Sequence, residues 1–242
     1  MIDKKVVALL IGKKNSTGFP GKNVMDINGI PSCEYGFQAA KRLGINSIFV
    51  STDCPKISEI GKSYSAKLID RPEKLATPES LTEDVLTHAY KEILKAGVKP
   101  EIIVLLFANN PAISLSLIEE GIKKLDEDET YDSAFSVSKY NMFSPTRARK
   151  IVDDKIESFV PLNLIGNVNS IRSSQGDVYF CDLSVQVIRS RVFENMSEGM
   201  QPFQWMGKKS YPLKNSYGFD IDEEWQKAAI EIWLKKNWNY EK

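Results

Sequence analysis

Val6-Val7-Ala8-Leu9-Leu10-Ile11 runs directly into Gly12-Lys13-Lys14-Asn15-Ser16-Thr17-Gly18-Phe19-Pro20-Gly21-Lys22-Asn23. Six unbroken apolar residues fit a strand covered on both faces. The loop that follows is rich in Gly, Lys, Asn and Ser and extends to Asn28. In an open α/β sheet, the region beyond the carboxyl end of a strand is where ligands bind. The loop is neither G-x-G-x-x-G nor G-x-x-x-x-G-K-[ST], so it supports neither a dinucleotide site nor a P-loop. Its glycines permit close backbone approach and its lysines supply positive charge, a combination suited to a polyphosphate. The same composition also fits a flexible basic surface loop.

Downstream, strands and helices alternate. Pro31 to Leu43 reads as a helix closed by Gly44, Ile48 to Ser51 as a strand, Pro55 to Tyr64 as a helix and Ala66 to Ile69 as a short strand. Ser80-x-x-Glu83 has the form of a capping box opening a helix from Thr82 to Lys95. Ile102 to Phe107 is another buried strand and Leu115 to Leu125 another helix. This alternation predicts an α/β fold with a mainly parallel sheet. The pattern breaks after about residue 138. Residues 140–176 carry scattered Pro, Asn, Arg and Ser and suit an extended arm or a small β-lobe. Val178 to Phe180 and Val185 to Ile188 read as returning strands. Glu223 to Lys235 reads as an amphipathic helix with Trp225, Ala228, Ala229, Ile232 and Trp233 on one stripe.

Composition narrows the function. The 242 residues hold 32 Lys+Arg against 32 Asp+Glu, and zero net charge argues against a general nucleic-acid binder. No apolar run reaches the roughly 18 residues of a spanning helix. The opening apolar stretch is too short for a signal peptide, so a cytoplasmic, membrane-free protein is expected. Cys33, Cys54 and Cys181 are odd in number and widely spaced, which fits a reducing compartment. His88 is the single histidine, so a His/Cys zinc site and a Ser-His-Asp catalyst are set aside. On the helix it points away from the apolar stripe and is expected at the surface.

Three further groups of residues stand out. In Asp220-Ile221-Asp222 an extended backbone points positions i and i+2 the same way, so two carboxylates can share a hard cation such as Mg²⁺. Asp220 with Glu223 could equally cap the last helix. Arg71 follows a strand and could hold a phosphate or a base edge, or pair with Glu73 at the surface. Ser80 is either a ligand contact or the helix cap already described.

Taken in order, Gly18-Phe19-Pro20-Gly21-Lys22-Asn23, Val50-Ser51-Thr52-Asp53, Arg71-Pro72-Glu73-Lys74-Leu75-Ala76-Thr77 and Phe219-Asp220-Ile221-Asp222 resemble the acylneuraminate cytidylyltransferases. These are the CMP-sialic acid synthetases and their relatives. The resemblance implies a nucleotidyltransferase Rossmann-like fold over residues 1–242, with residues 140–176 as a dimerisation arm of a homodimer. It implies transfer of CMP from CTP to an acidic acceptor, a nonulosonic or related sugar acid, with release of pyrophosphate. Gly12, Lys13, Ser16, Gly18, Lys22, Asn23, Arg71 and Ser80 would bind the nucleotide. Asp220 and Asp222 would hold Mg²⁺, and Lys13, Lys22 and Arg172 would act in catalysis.

The chain also departs from the family. Where that family's loop opens Pro-Ala-Arg-Gly-Gly-Ser-Lys-Gly, this chain has Ile11-Gly12-Lys13-Lys14-Asn15-Ser16-Thr17-Gly18. Leu106 to Ser114 lacks the glutamine and arginine of the family's acceptor stretch. Two alternatives follow: CMP transfer to a non-sugar acid such as a phosphonate, and a non-catalytic nucleotide-binding homologue.

Overall fold

The computed structural model describes residues 5–16, 18–166, 168–171 and 176–238. The opening apolar run forms β1 (Val6–Gly12). After the loop, β2 (Asp26–Ile27) and β3 (Ile30–Pro31) make a small antiparallel hairpin. β1 pairs in parallel with β4 (Ser47–Thr52) on one side and β6 (Ile102–Phe107) on the other, and β5 (Lys67–Asp70) extends the sheet beyond β4. The period of two in β1 divides the core. Val6, Ala8 and Leu10 pack toward α1 (Glu34–Arg42), α2 (Pro55–Ser63), α4 (Leu115–Glu127) and α6 (Glu224–Asn237). Val7 and Leu9 face α3 (Thr82–Lys95) and α5 (Ser190–Glu194). Each such leucine, removed from water, contributes about 1.5–3 kcal/mol, which is why the run is apolar on both faces. Among the described residues no helix is long and apolar enough to cross a membrane.

The second half of the sheet is built from β7 (Ser133–Lys139), β10 (Tyr179–Arg189) and β11 (Ser210–Asn215). The seven strands run β11-β7-β10-β6-β1-β4-β5, and only β10 is antiparallel to its neighbours. The two returning strands expected from sequence are one strand, bent where the register slips between Cys181 and Gln186. Leu183 has a left-handed φ of 57° at that bulge. β7 and β11 have no counterpart in the sequence reading. β7 hides Ser133, Ser136 and Ser138 in the interior, so its hydrophobic alternation is interrupted. β11 carries Pro212 and lies at the sheet edge, where the missing N–H is tolerated.

Several expectations are corrected. Leu81, not Ser80, is the N-cap of α3, and no side chain bonds there. The box that does form belongs to α6, where Glu223 and Gln226 cap each other's backbone groups, leaving Asp220 out of the cap. On α6 the inward residues are Ile230, Trp233 and Leu234, whereas Trp225 and Ile232 are exposed. His88 is half-buried, and its Nδ1 is shielded without a hydrogen-bond partner. Between β7 and β10 a hairpin of β8 (Arg149–Val152) and β9 (Lys155–Ser158) stands exposed, with Ile151 opposite Ile156.

Candidate active site

At the carboxyl ends of β1 and β6 lies a cavity of about 230 Å³ lined by Gly12, Lys13, Lys22, Asn23, Arg71, Ser80, Asn109 and Asp220, among others. Two larger hollows, of about 420 and 320 Å³, lie beside Trp233 and Trp238 and beside Arg147 and Arg149. Neither gathers the residues predicted to carry chemistry.

The loop after β1 is held by its own side chains. A Cβ at Gly12 would sit 2.5 Å from Ala108 Cβ, so only glycine lets the loop start so close to the segment after β6. The Asn23 side chain is buried and donates to the Lys13 carbonyl at 2.7 Å. Ser32 donates to the Lys22 carbonyl at 2.6 Å. Gly21 takes φ 79°, the left-handed turn that aims Lys22 back over the sheet. The Lys14 amide donates to Asp53 at 2.8 Å, which gives the carboxylate of the Val50-Ser51-Thr52-Asp53 motif a structural task.

Arg71 is buried, not paired with Glu73 at the surface. Its Nη2 donates to the Ser51 carbonyl at 2.6 Å. Burial lowers its pKa and Asp53 opposes the shift. An arginine remains cationic all the same, so a fixed positive charge stands in the wall. Ser80 donates to the Lys74 carbonyl at 2.9 Å and lies 3.0 Å from the Thr77 hydroxyl, so it folds the segment before α3 over the cavity.

Opposite these cations, Ile221 is fully buried and turns its two neighbours outward, as the i, i+2 argument requires. Asp220 lines the cavity, and Asp222 forms an ion pair with Lys22. Burial raises the Asp220 pKa, and the neighbouring Asp222 charge raises it further, against Lys22 and Asn109. Asn109 is a residue the sequence reading missed. It donates to Asp220 Oδ2 at 3.2 Å and to the Ile221 carbonyl at 3.1 Å, while its own carbonyl accepts from Ile221 N at 2.8 Å. A partner more than a hundred positions away leaves no local pattern to find.

The remaining predicted residues divide. A Cβ placed on Gly18 would lie 3.9 Å from the Asp222 carbonyl, so the loop does rest against the carboxylate motif. Ser16 is half-exposed and does not line the cavity. Arg172 lies outside the described residues.

Known proteins resemble this chain in sequence and in fold. The profile of the cytidylyltransferase family matches residues 8–180. The chain is 25% identical over 155 residues to a 3-deoxy-manno-octulosonate cytidylyltransferase of Haemophilus ducreyi, covering 62% of this chain and 58% of that protein. It is 24% identical over 228 residues to N-acylneuraminate cytidylyltransferase A of Danio rerio, covering 90% of this chain and 48% of the other. The chain thus spans about half the length of the curated relatives it matches. A CMP:2-keto-3-deoxy-manno-octonic acid synthetase solved with CTP superposes with a TM-score of 0.66 at 17% identity, over 96% of this chain and 99% of that one. That likeness establishes the fold as the Rossmann-like nucleotidyltransferase type expected from sequence.

Proposed function

The chain belongs to the cytidylyltransferase family, and from that premise we propose that it transfers CMP from CTP to an acidic acceptor, with release of pyrophosphate. The observation that carries the reading is the meeting of Lys13, Lys22, Arg71 and Asp220 around one cavity at the strand ends, with Asp222 ion-paired to Lys22. An acceptor oxygen attacks the α-phosphorus of CTP, forming one P–O bond as the bond to the β-phosphate oxygen breaks. Catalysis at phosphorus of this kind is mostly positioning and charge neutralisation. Lys13 and Lys22 neutralise the phosphates and the departing pyrophosphate. Arg71, Ser80 and Asn23 hold the nucleotide, and Ser16 and Gly18 shape the loop over it.

The donor set fits Mg²⁺. The Asp222 charge bears on the buried Asp220, and a lysine ammonium rests on Asp222 where a cation is wanted. Among the described residues no third acidic, Cys or His group joins them. Mg²⁺ is commonly held by one or two carboxylates with substrate phosphates and water. When bound, it would supply Lewis-acid charge to the phosphates. Arg172 remains a candidate for the same chemistry on the strength of the family resemblance.

The acceptor is a sugar acid in the principal reading. A non-sugar acid such as a phosphonate is favoured by one observation. Phe107 lines the cavity and Asn109 is engaged with the carboxylate motif, in the stretch where the family carries glutamine and arginine. The reading includes a homodimer, acting in the cytoplasm, built on the 140–176 arm. Its support is apolar surface: Ile151, Ile156, Phe159 and Leu164 are each at least 66% exposed.

Pyrophosphate release, measured with each of the four NTPs against a panel of sugar acids and phosphonates, tests the function. CTP with one acid class should give turnover that depends on Mg²⁺. CTP binding without turnover on any acid would instead support the non-catalytic homologue.

A further inference from the structure

Asp182 takes no part in the chemistry described above, yet it is a carboxylate left only 5% exposed at the bulge of β10. Among the described residues it has no ion pair. A buried charge is tolerated only when its lone pairs are filled. Here four donors fill them. They are the Ser136 hydroxyl, the Ser138 hydroxyl at 2.5 Å, Asn215 Nδ2 at 3.0 Å and the Ser184 amide at 3.0 Å. They come from β7, from the end of β11 and from the bulge itself.

Faced by four donors, the Asp182 oxygens only accept, whereas a hydroxyl can do either. Both serines must therefore turn their protons toward Asp182 and their lone pairs away. Those lone pairs receive backbone amides: Val185 N on Ser136 at 2.9 Å and Gly218 N on Ser138 at 3.2 Å. Gly218 stands two residues before Asp220. Tyr140 donates to its carbonyl at 3.1 Å. A Cβ at Gly218 would lie 2.2 Å from Ser184 Oγ, so the segment is packed directly against the bulge. On the other side, Asn110 donates to the Asp182 carbonyl at 3.2 Å, next to the Asn109 that grips Asp220 and Ile221.

We propose that Asp182 is a positioning residue for Asp220 and Asp222, its acceptor-only chemistry fixing the polarity of the serine hydroxyls that hold the segment leading to them. The inference rests on the reading of Asp220 and Asp222 as the cation-holding pair. An asparagine is nearly isosteric but presents an N–H₂ to one serine. That hydroxyl must then turn its proton away, and the charge-assisted bond by which the carboxylate anchors it is lost.

The test is Asp182→Asn in the full chain, followed by hydrogen exchange and by Mn²⁺ binding in the presence of CTP. Exchange in peptides covering residues 216–222 should rise about tenfold, the scale of one lost hydrogen bond, while β1 and α3 stay protected. Mn²⁺ affinity should fall by a similar factor, with the KM for CTP at saturating metal within about twofold of wild type. Ser138→Ala should reproduce the exchange change, and it serves as the probe if Asp182→Asn does not fold. Unchanged protection at 216–222, or a uniform rise across the sheet, overturns the proposal. If the wild-type protein takes up no Mn²⁺, the functional reading fails, and the exchange result still judges the hold of Asp182 on the segment.

Discussion

Lys22 has two uses. Its ammonium neutralises Asp222 in the structure, and in the proposed reaction it neutralises phosphate. Asp222→Asn should therefore free Lys22 yet lower turnover by a hundredfold or so, the scale of losing about 3 kcal/mol at a charged contact. Stability should barely move, because the cap of α6 is made by Glu223 and Gln226. Steady-state kinetics beside a thermal melt checks both halves. Arg71→Lys should weaken CTP binding about tenfold, since an ammonium cannot both reach Ser51 and present a flat donor edge to the cavity. Isothermal titration with CTP reads this directly. Half of the cavity lining was legible at this scale: Gly12, Lys13, Lys22, Asn23, Arg71, Ser80 and Asp220. Their motifs are short and lie at strand ends. Asn109 and Asp182 were not legible. Their roles arise from contacts with residues remote in sequence, and an isolated Asn or Asp carries no sign of that.

The elements were readable where burial and period agree. β6 and α3 fall on their expected residues, and β1 extends its expected run by one, because each presents a continuous or helical apolar pattern to the core. The misread α6 stripe shows the limit. Its tryptophans divide, Trp233 inward with its indole on the Ser216 carbonyl and Trp225 outward on Glu223, so hydrophobicity alone chose the wrong face. The start of β7 is secured by polar bonds that no period reports. Asp132 accepts from the Lys208 and Lys209 amides at 2.8 and 3.1 Å and from Arg191 at 3.0 Å. Burial pushes its pKa up, but these donors outweigh it, and the folded-state pKa lies below the ordinary carboxylate value. A depressed folded pKa means stability that is present above the unfolded value of about 3.8 and lost as pH falls through the folded one. Asp132→Asn should cost about 1.5–3 kcal/mol at pH 7, with the gap to wild type closing below about pH 4. Urea melts at a series of pH values measure the gap.

For the whole molecule, the exposed hairpin of β8 and β9 carries the prediction. Light scattering at micromolar concentration should give about twice the 27.3 kDa chain mass. Replacing Ile151 and Ile156 together by Asp should yield a monomer if this face is the arm's contact. A dimer that survives the exchange places the interface elsewhere. The strand order has a further consequence, in time. The leaf made of β1, β4, β5 and β6 is complete in sequence by Phe107, but β7 must wait for β10, which ends about fifty residues after it, and for β11 beyond. At roughly 5–20 residues per second, synthesis leaves β7 without its neighbours for several seconds. A valine-rich strand waiting with open edges would invite pairing with other chains. Ser133, Ser136 and Ser138 lower the hydrophobicity of β7, so the same serines that obscure the strand in the sequence make it a poorer template for such pairing.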